Sequence, residues 1–249
     1  TLMNAQLNGL RILITGAGRG LGQSHALHLA GYKAHVIIHD LEEELALNTK
    51  KEVEEAGGNA SVLVSDIRNI DKFQKDLKSC GSIDVLVNNA GIGGAGKKID
   101  EIDFEVFDEM YRVHVAGTFF ATQAILPQMK ARKQGKIINT TSIFAQVGHY
   151  ESSHYVAAKS AISGLTKAWA REFAPWNIKV NSIAPGFIET EMTRLSTTQE
   201  QIESLANAIP LGRLCSPIDI SYAVAWLASF ETNQMTGQVI SPNAGQVIC

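Results

Sequence analysis

Residues 11–30 read R-I-L-I-T-G-A-G-R-G-L-G-Q-S-H-A-L-H-L-A, and this stretch decides the fold. The apolar run Ile12–Ile14 predicts a strand covered on both faces. Thr15–Gly22 follows at once. Its glycines at 16, 20 and 22 permit a tight turn, close backbone approach to a ligand and close helix–strand packing. A helical pattern runs over Leu21–Ala30, and its N-terminus would offer free N–H groups to a pyrophosphate. The next apolar run starts at Ala34 and ends in Asp40. That acid lies eighteen residues past Gly22, near the offset of about 20 at which a carboxylate meets the hydroxyls of an adenosine ribose. Strand, glycine turn, helix, strand and acid in that order predict a dinucleotide-binding unit.

The same alternation continues along the chain. Apolar runs at Arg11–Thr15, Ala34–Asp40, Ala60–Ser65, Val85–Asn88, Lys136–Thr141, Lys179–Ala184 and Gln238–Ile240 predict strands. Helical patterns lie at Leu21–Ala30, Glu42–Ala56, Ile70–Ser79, Asp103–Arg132, Ser153–Ala174 and Pro217–Leu227. Repeated strand–helix order predicts an α/β fold, a single Rossmann-type domain over residues 1–249 with a doubly wound parallel sheet of about seven strands. The least regular segment is Gly186–Arg213, which is expected to form a lid over the substrate.

A second constellation carries chemistry. Residues 141–159 read T-S-I-F-A-Q-V-G-H-Y-E-S-S-H-Y-V-A-A-K. Tyr155 and Lys159 are four apart, so a helix sets them on one face. Ser142 follows the run Lys136–Thr141. A phenol, with a pKa near ~10, is a poor base at neutral pH unless a cation stabilises its phenolate. Lys159 can supply that cation, and a serine hydroxyl can donate to an oxygen on which charge develops. These groups suit proton exchange with a carbonyl/alcohol pair.

Composition narrows the field. At 249 residues, 45% of them hydrophobic, the chain can bury a large core. Twenty-two basic against 25 acidic residues give a net charge of −3, without the basic footprint of a nucleic-acid binder. Cys80, Cys215 and Cys249 lack C-x-x-C spacing, and no metal-ligand pattern accompanies them. No apolar run approaches the ~20 residues of a membrane span, and the first ten residues lack a signal pattern. A cytoplasmic protein without nucleic-acid or membrane partners is expected.

Together the motifs resemble the short-chain dehydrogenase/reductase family over essentially the whole chain. Thr15–Gly22 matches its T-G-x-x-x-G-x-G, Asn88–Gly91 its N-N-A-G, Ser142, Tyr155 and Lys159 its triad, and Pro185–Thr190 its P-G-x-x-x-T. The resemblance implies that the turn residues Gly16, Arg19, Gly20, Leu21 and Gly22 hold the pyrophosphate and adenosine. Asp66 and Ile67 would hold the adenine edge, Asn89 the groove on the ribose side, Tyr155 and Lys159 the nicotinamide ribose, and Ile188 and Thr190 the carboxamide. Tyr155 would be the general acid/base, its pKa lowered by Lys159 and the cationic nicotinamide, with Ser142 holding the substrate oxygen. Two positions depart from the family. His114 stands where an Asn of the proton relay is usual, and Asn243-Ala244-Gly245 replaces a D-G-G. His114 is expected to substitute in the relay, titrating near neutrality.

The resemblance also implies a homotetramer paired through the helices Asp103–Arg132 and Ser153–Ala174 and through the C-terminal strand. Asp40 argues for NAD over NADP, with Arg19 as a counter-signal. Two function classes stand: an active oxidoreductase, and a regulatory protein that keeps only the dinucleotide site. Within the first, G-F-I-E-T-E-M-T at 186–193 looks like 3-oxoacyl carrier-protein reductases. Those meet an acidic carrier through basic residues at two helix ends, positions held here by Lys133 and Trp176. Because Trp176 carries no charge, and because Asp40 opposes the phosphate of the NADPH that such reductases typically use, the sequence favours a small or aromatic secondary alcohol, in a pocket of Phe144, Val147, His149, Tyr150 and Phe187.

Overall fold

The computed structural model describes residues 7–94, 96–189 and 198–248. Its strands are β1 (Arg11–Thr15), β2 (His35–Asp40), β3 (Asn59–Val64), β4 (Val85–Asn88), β5 (Gly135–Thr140), β6 (Ile178–Ile183) and β7 (Val239–Ile240). All pair in parallel, in the order β3-β2-β1-β4-β5-β6-β7. The main helices are α1 (Gly20–Gly31), α2 (Glu43–Glu55), α3 (Ile70–Ser79), α4 (Phe104–Tyr111), α5 (Gly117–Arg132), α6 (Phe144–Val147), α7 (Ser153–Phe173), α8 (Gln199–Ala208) and α9 (Pro217–Ala228).

Alternation along the strands builds two cores. Ile12 and Ile14 of β1 and Ile38 of β2 face one layer, against Leu29 of α1, Val53 of α2 and Val224 of α9. Leu13, Ile37, Leu86 and Ile137 face the other, against Phe73 of α3, Ile125 and Met129 of α5 and Trp169 of α7. With both faces covered, the strands need no polar alternation, which is why they read as continuous apolar runs.

Two expectations change. The single helix predicted over Asp103–Arg132 is interrupted: Asp103 caps α4 by accepting the Val106 N–H at 2.8 Å, and a π-helical turn at Arg112–Ala116 separates α4 from α5. His114 sits in that turn. The segment Gly186–Arg213, read as irregular, contains α8. Thr198 and Gln201 form a capping box at its start, with Gln201 N donating to Thr198 Oγ1 at 3.3 Å and Thr198 N to Gln201 Oε1 at 2.9 Å. Ile202 of α8 packs with Ile209, Leu214 and Phe187. Residues 190–197 lie outside the described residues. No helix among the described residues is long and apolar enough to cross a membrane.

Candidate active site

The carboxyl ends of β1, β2, β4, β5 and β6 converge. After β1, Gly16 has φ +63° and Gly20 φ +58°, left-handed conformations that favour glycine. A Cβ on Gly16 would lie 2.8 Å from Ala90 Cα, and one on Gly22 2.1 Å from Gly16 O. The turn is therefore pressed against the segment that follows β4. Asn89 clamps it: its Nδ2 donates to Thr15 O at 3.0 Å and Gly16 O at 3.1 Å. Thr15 Oγ1 accepts from Asn89 N and Ala90 N, both at 3.0 Å. Asn89 thus shapes the groove from beneath.

A dinucleotide fits this turn. No side chain caps α1 and no acid sits in its first turn, so its N-terminal N–H groups and dipole are free for an anion. A Cβ on Gly20 would meet open space, leaving room for a phosphate to approach the backbone. Asp40, at the end of β2, accepts the Gly18 N–H on Oδ2 at 2.8 Å and the Glu42 N–H on Oδ1 at 3.1 Å. Its carboxylate is fixed beside the turn. The guanidinium of Arg19 is 4.0 Å from the Glu42 carboxylate. Asp66 follows β3 with its carboxylate held by Arg68 at 2.9 Å, which keeps its pKa below the usual range. Ile67 is buried under Gly117, where an added Cβ would come within 2.5 Å of Ile67 Cδ1. Ile188 bridges in parallel to Cys215. Thr190 lies outside the described residues.

Ser142, Tyr155 and Lys159 come together as expected. Ser142 is buried just past β5 and accepts the Phe144 N–H at 3.2 Å. Tyr155 and Lys159 share one face of α7, with Lys159 Nζ 5.6 Å from the centroid of the Tyr155 ring. Lys159 is buried and donates to Thr140 O at 2.9 Å. Burial pushes its pKa down to about 7. Burial also raises the Tyr155 phenol, opposed by a hydrogen bond with Ser142. Burial of the phenol thus works against the lowering expected from Lys159 and the cationic nicotinamide.

His114 is buried, and its ring stands edge-on to Tyr155. Its Nε2 meets both the N–H and the C=O of Ile92 at 3.0 Å, while Nδ1 has no partner among the described residues. Gly91 permits this approach, since its added Cβ would lie 2.5 Å from His114 Cε1. Burial first, then Lys159, hold the imidazole pKa well below its usual value. Titration near neutrality is therefore corrected: His114 stays neutral and ties the segment after β4 to the π-helical turn.

The expected pocket is partly assembled. Phe144 lies 4.1 Å from His149 and 5.5 Å from Phe187 between ring centroids, and His149 stacks on Tyr150 at 5.0 Å. Val147 and Tyr150 are exposed and form a rim rather than a wall. Sequence reasoning missed the main-chain partners Thr140 O and Ile92, which carry no side-chain signal. It also missed His39, whose Nδ1 is 3.4 Å from Gly16 N and whose Nε2 is 3.0 Å from Ser65 O.

A family model for short chain dehydrogenases matches residues 11–201. The chain belongs to the short-chain dehydrogenase family. It is similar to the 3-oxoacyl-[acyl-carrier-protein] reductase of Thermotoga maritima, with 36% identity over 98% of this chain and 100% of that protein. A 3-oxoacyl-[acyl-carrier protein] reductase from Brucella melitensis with bound NAD superposes with a TM-score of 0.91 at 31% identity, covering 100% of this chain and 97% of that one. A gluconate 5-dehydrogenase from Burkholderia cenocepacia in complex with NADP and tartrate gives 0.92 at 32% identity, covering 98% of each chain. This family member is an oxidoreductase, and a nicotinamide dinucleotide supplies the hydride acceptor or donor. The protein's own groups handle the proton. Neutral Tyr155 can donate from its hydroxyl to a carbonyl oxygen that Ser142 also contacts, and Lys159, with its pKa near neutrality, can exchange the proton behind it.

Proposed function

We propose that the chain is a ketoreductase of 3-oxoacyl groups that uses NAD(H), with Tyr155 as general acid, Ser142 holding the ketone oxygen and Lys159 behind the phenol. The observation that carries the substrate class is an apolar wall that starts two residues from Ser142. Phe144 meets Phe187 edge-on, and Phe187 continues onto Ile202, Leu205 and Ile209 at α8. A linear acyl chain can lie along such a wall. Relatives named as 3-oxoacyl reductases support this reading over the small or aromatic alcohol. The objection from Trp176 also weakens, because Lys130 Nζ lies 3.8 Å over its ring. Lys130 and Lys133 both come from the C-terminal end of α5, and the Lys130 ammonium reaches the position of Trp176.

The aromatic stack Phe144–His149–Tyr150 favours a second reading, a small or aromatic secondary alcohol. Steady-state kinetics with a 3-oxoacyl thioester and an aryl ketone separate the two. The proposal requires kcat/KM at least tenfold higher for the thioester. A reversed ratio selects the second reading, and no turnover of either selects a regulatory dinucleotide-binding protein.

Asp40 supports NAD(H), since its fixed charge would repel a 2′-phosphate, and Glu42 already pairs with Arg19. Exposed Phe104, Phe107 and Phe119 on α4 and α5 support a homotetramer paired through these helices, in a cytoplasmic setting. A monomer mass by light scattering would sink the assembly. The lid expected within 186–213 is proposed for its described parts, residues 186–189 and 198–213; residues 190–197 lie outside the described residues.

A further inference from the structure

The sheet register sets Lys136 of β5 directly across from Lys179 of β6. Paired residues of adjacent strands project to the same face, and like charges placed so oppose each other. Neither ammonium has a carboxylate as hydrogen-bond partner. Lys136 Nζ donates to Leu227 O at 3.3 Å, to Thr232 Oγ1 at 2.8 Å and to Ser229 O, closing the C-terminal end of α9. Lys179 Nζ donates to Asn177 O at 3.1 Å and to its side-chain oxygen. Burial, and then Lys179, press the Lys136 pKa down to about 8.

These two lysines line a cavity of about 290 Å³, with Asp84, Asn233 and the apolar side chains of Leu10, Val85 and Phe230. The volume is at the small end of ligand cavities, which run from ~300 to 1,000 Å³. Asp84 does not balance the lysines through hydrogen bonds. Its Oδ2 accepts the Arg11 N–H at 2.9 Å, and its Oδ1 lies 3.7 Å from Arg132 Nη2. The cavity opens at the amino ends of β4, β5 and β6. Ser142 lies six residues further along β5 and beyond, roughly 20 Å away at about 3.3 Å per residue. It is therefore separate from the dinucleotide and ketone end of the sheet.

We propose that this cavity is a second binding site, for a small organic carboxylate whose charge lies against Lys136 and Lys179 and whose apolar body packs on Leu10, Val85 and Phe230. The two ammoniums, bonded only to neutral oxygens, explain the charge, and the apolar lining explains the preference for an organic anion over an inorganic one. Lys179 is the adjustable contact, because Lys136 is committed to the helix end.

The test is a calorimetric titration of the intact protein, saturated with NADH, using benzoate, its neutral isostere benzamide and inorganic phosphate. The expected result is saturable benzoate binding at one site, with benzamide and phosphate at least tenfold weaker. Lys179→Met should weaken benzoate about tenfold, the scale of one charge-assisted hydrogen bond, and Lys179→Arg should retain it. Unchanged NADH affinity shows that each variant is folded; if Lys179→Met fails this check, Lys179→Gln takes its place. Absence of saturable binding, equal binding of benzamide, or benzoate affinity untouched by loss of the Lys179 charge would overturn the site.

Discussion

The imidazole of His114 meets the phenol ring of Tyr155 edge to face, with centroids 5.6 Å apart and planes at 89°. The contact depends on the π-helical turn at Arg112–Ala116, which carries His114; such turns often occur at functional sites. With Nε2 bonded to Ile92 and its charge suppressed by burial, His114 acts by position. His114→Asn, which can still meet the Ile92 main chain, should keep most of the turnover. His114→Ala removes the one hydrogen bond that Nε2 makes with the Ile92 main chain and the ring beside Tyr155, and should lose roughly tenfold in kcat, the scale of one hydrogen bond of about 1 kcal/mol lost from the positioning of the phenol. Neither change should remove an inflection near neutral pH. A wild-type inflection there that disappears in His114→Asn would restore the titrating relay.

Tyr155→Phe removes the proton donor and keeps the ring against His114 and Gly94. Turnover is expected to fall by roughly 10²–10⁴-fold, the usual contribution of general acid–base catalysis. NADH binding, followed by fluorescence, should change little. A variant that retained most of its rate would show that another group carries the proton.

Asp40 is expected to decide the dinucleotide. Asp40→Ala removes the charge beside the 2′ position and the acceptor of the Gly18 N–H. The ratio of kcat/KM for NADH to that for NADPH should drop by at least tenfold, chiefly through a poorer NADH KM. Wild-type efficiency with NADPH equal to or above that with NADH would contradict the assignment.

Most of the strand framework was legible because burial on both faces leaves one signature, continuous Val, Ile and Leu, and because Gly16 and Gly22 fix close approaches that no other residue allows. The candidate trio Ser142, Tyr155 and Lys159 was legible because Tyr155 and Lys159 are one helical turn apart. Three features were not. The π-helical turn at His114 is defined by main-chain hydrogen bonds, and no residue type in Arg112–Ala116 marks it. The partner of Lys159 is a main-chain carbonyl, Thr140 O, which every sequence possesses. The pKa of Tyr155 depends on how deeply α7 is buried, which local spacing does not report. The capping box Thr198–Gln201, by contrast, was a readable signal for α8 within a stretch of few other cues.

Acid should unfold this protein more readily than its balanced charge suggests. His25 is fully buried between α1 and α9, with Nδ1 2.8 Å from Ser221 Oγ and Nε2 without a partner among the described residues. Burial, and then His28, lower its pKa to about 3. His39, buried under the glycine turn, is lowered to about 4, again mainly by burial. In the unfolded chain both titrate near 6.5. Between that value and the folded pKa, the unfolded state binds more protons, so the free energy of unfolding falls as pH falls. The stability is therefore intact above about pH 6.5 and is lost progressively down to about pH 3–4. Each unit of difference corresponds to about 1.4 kcal/mol, against a total stability of only ~5–15 kcal/mol, so these two groups can remove a substantial part of the stability in mild acid. Urea denaturation at steps from pH 7 to 4.5 should show a steady fall in the free energy of unfolding. His25→Leu should make that slope shallower. Ser221 Oγ would keep Ser24 Oγ at 2.8 Å and Pro217 O at 3.0 Å as partners, so the substitution leaves no orphaned hydroxyl. A wild-type slope that is flat over this range, or one that His25→Leu leaves unchanged, would show that the buried imidazoles do not control acid stability.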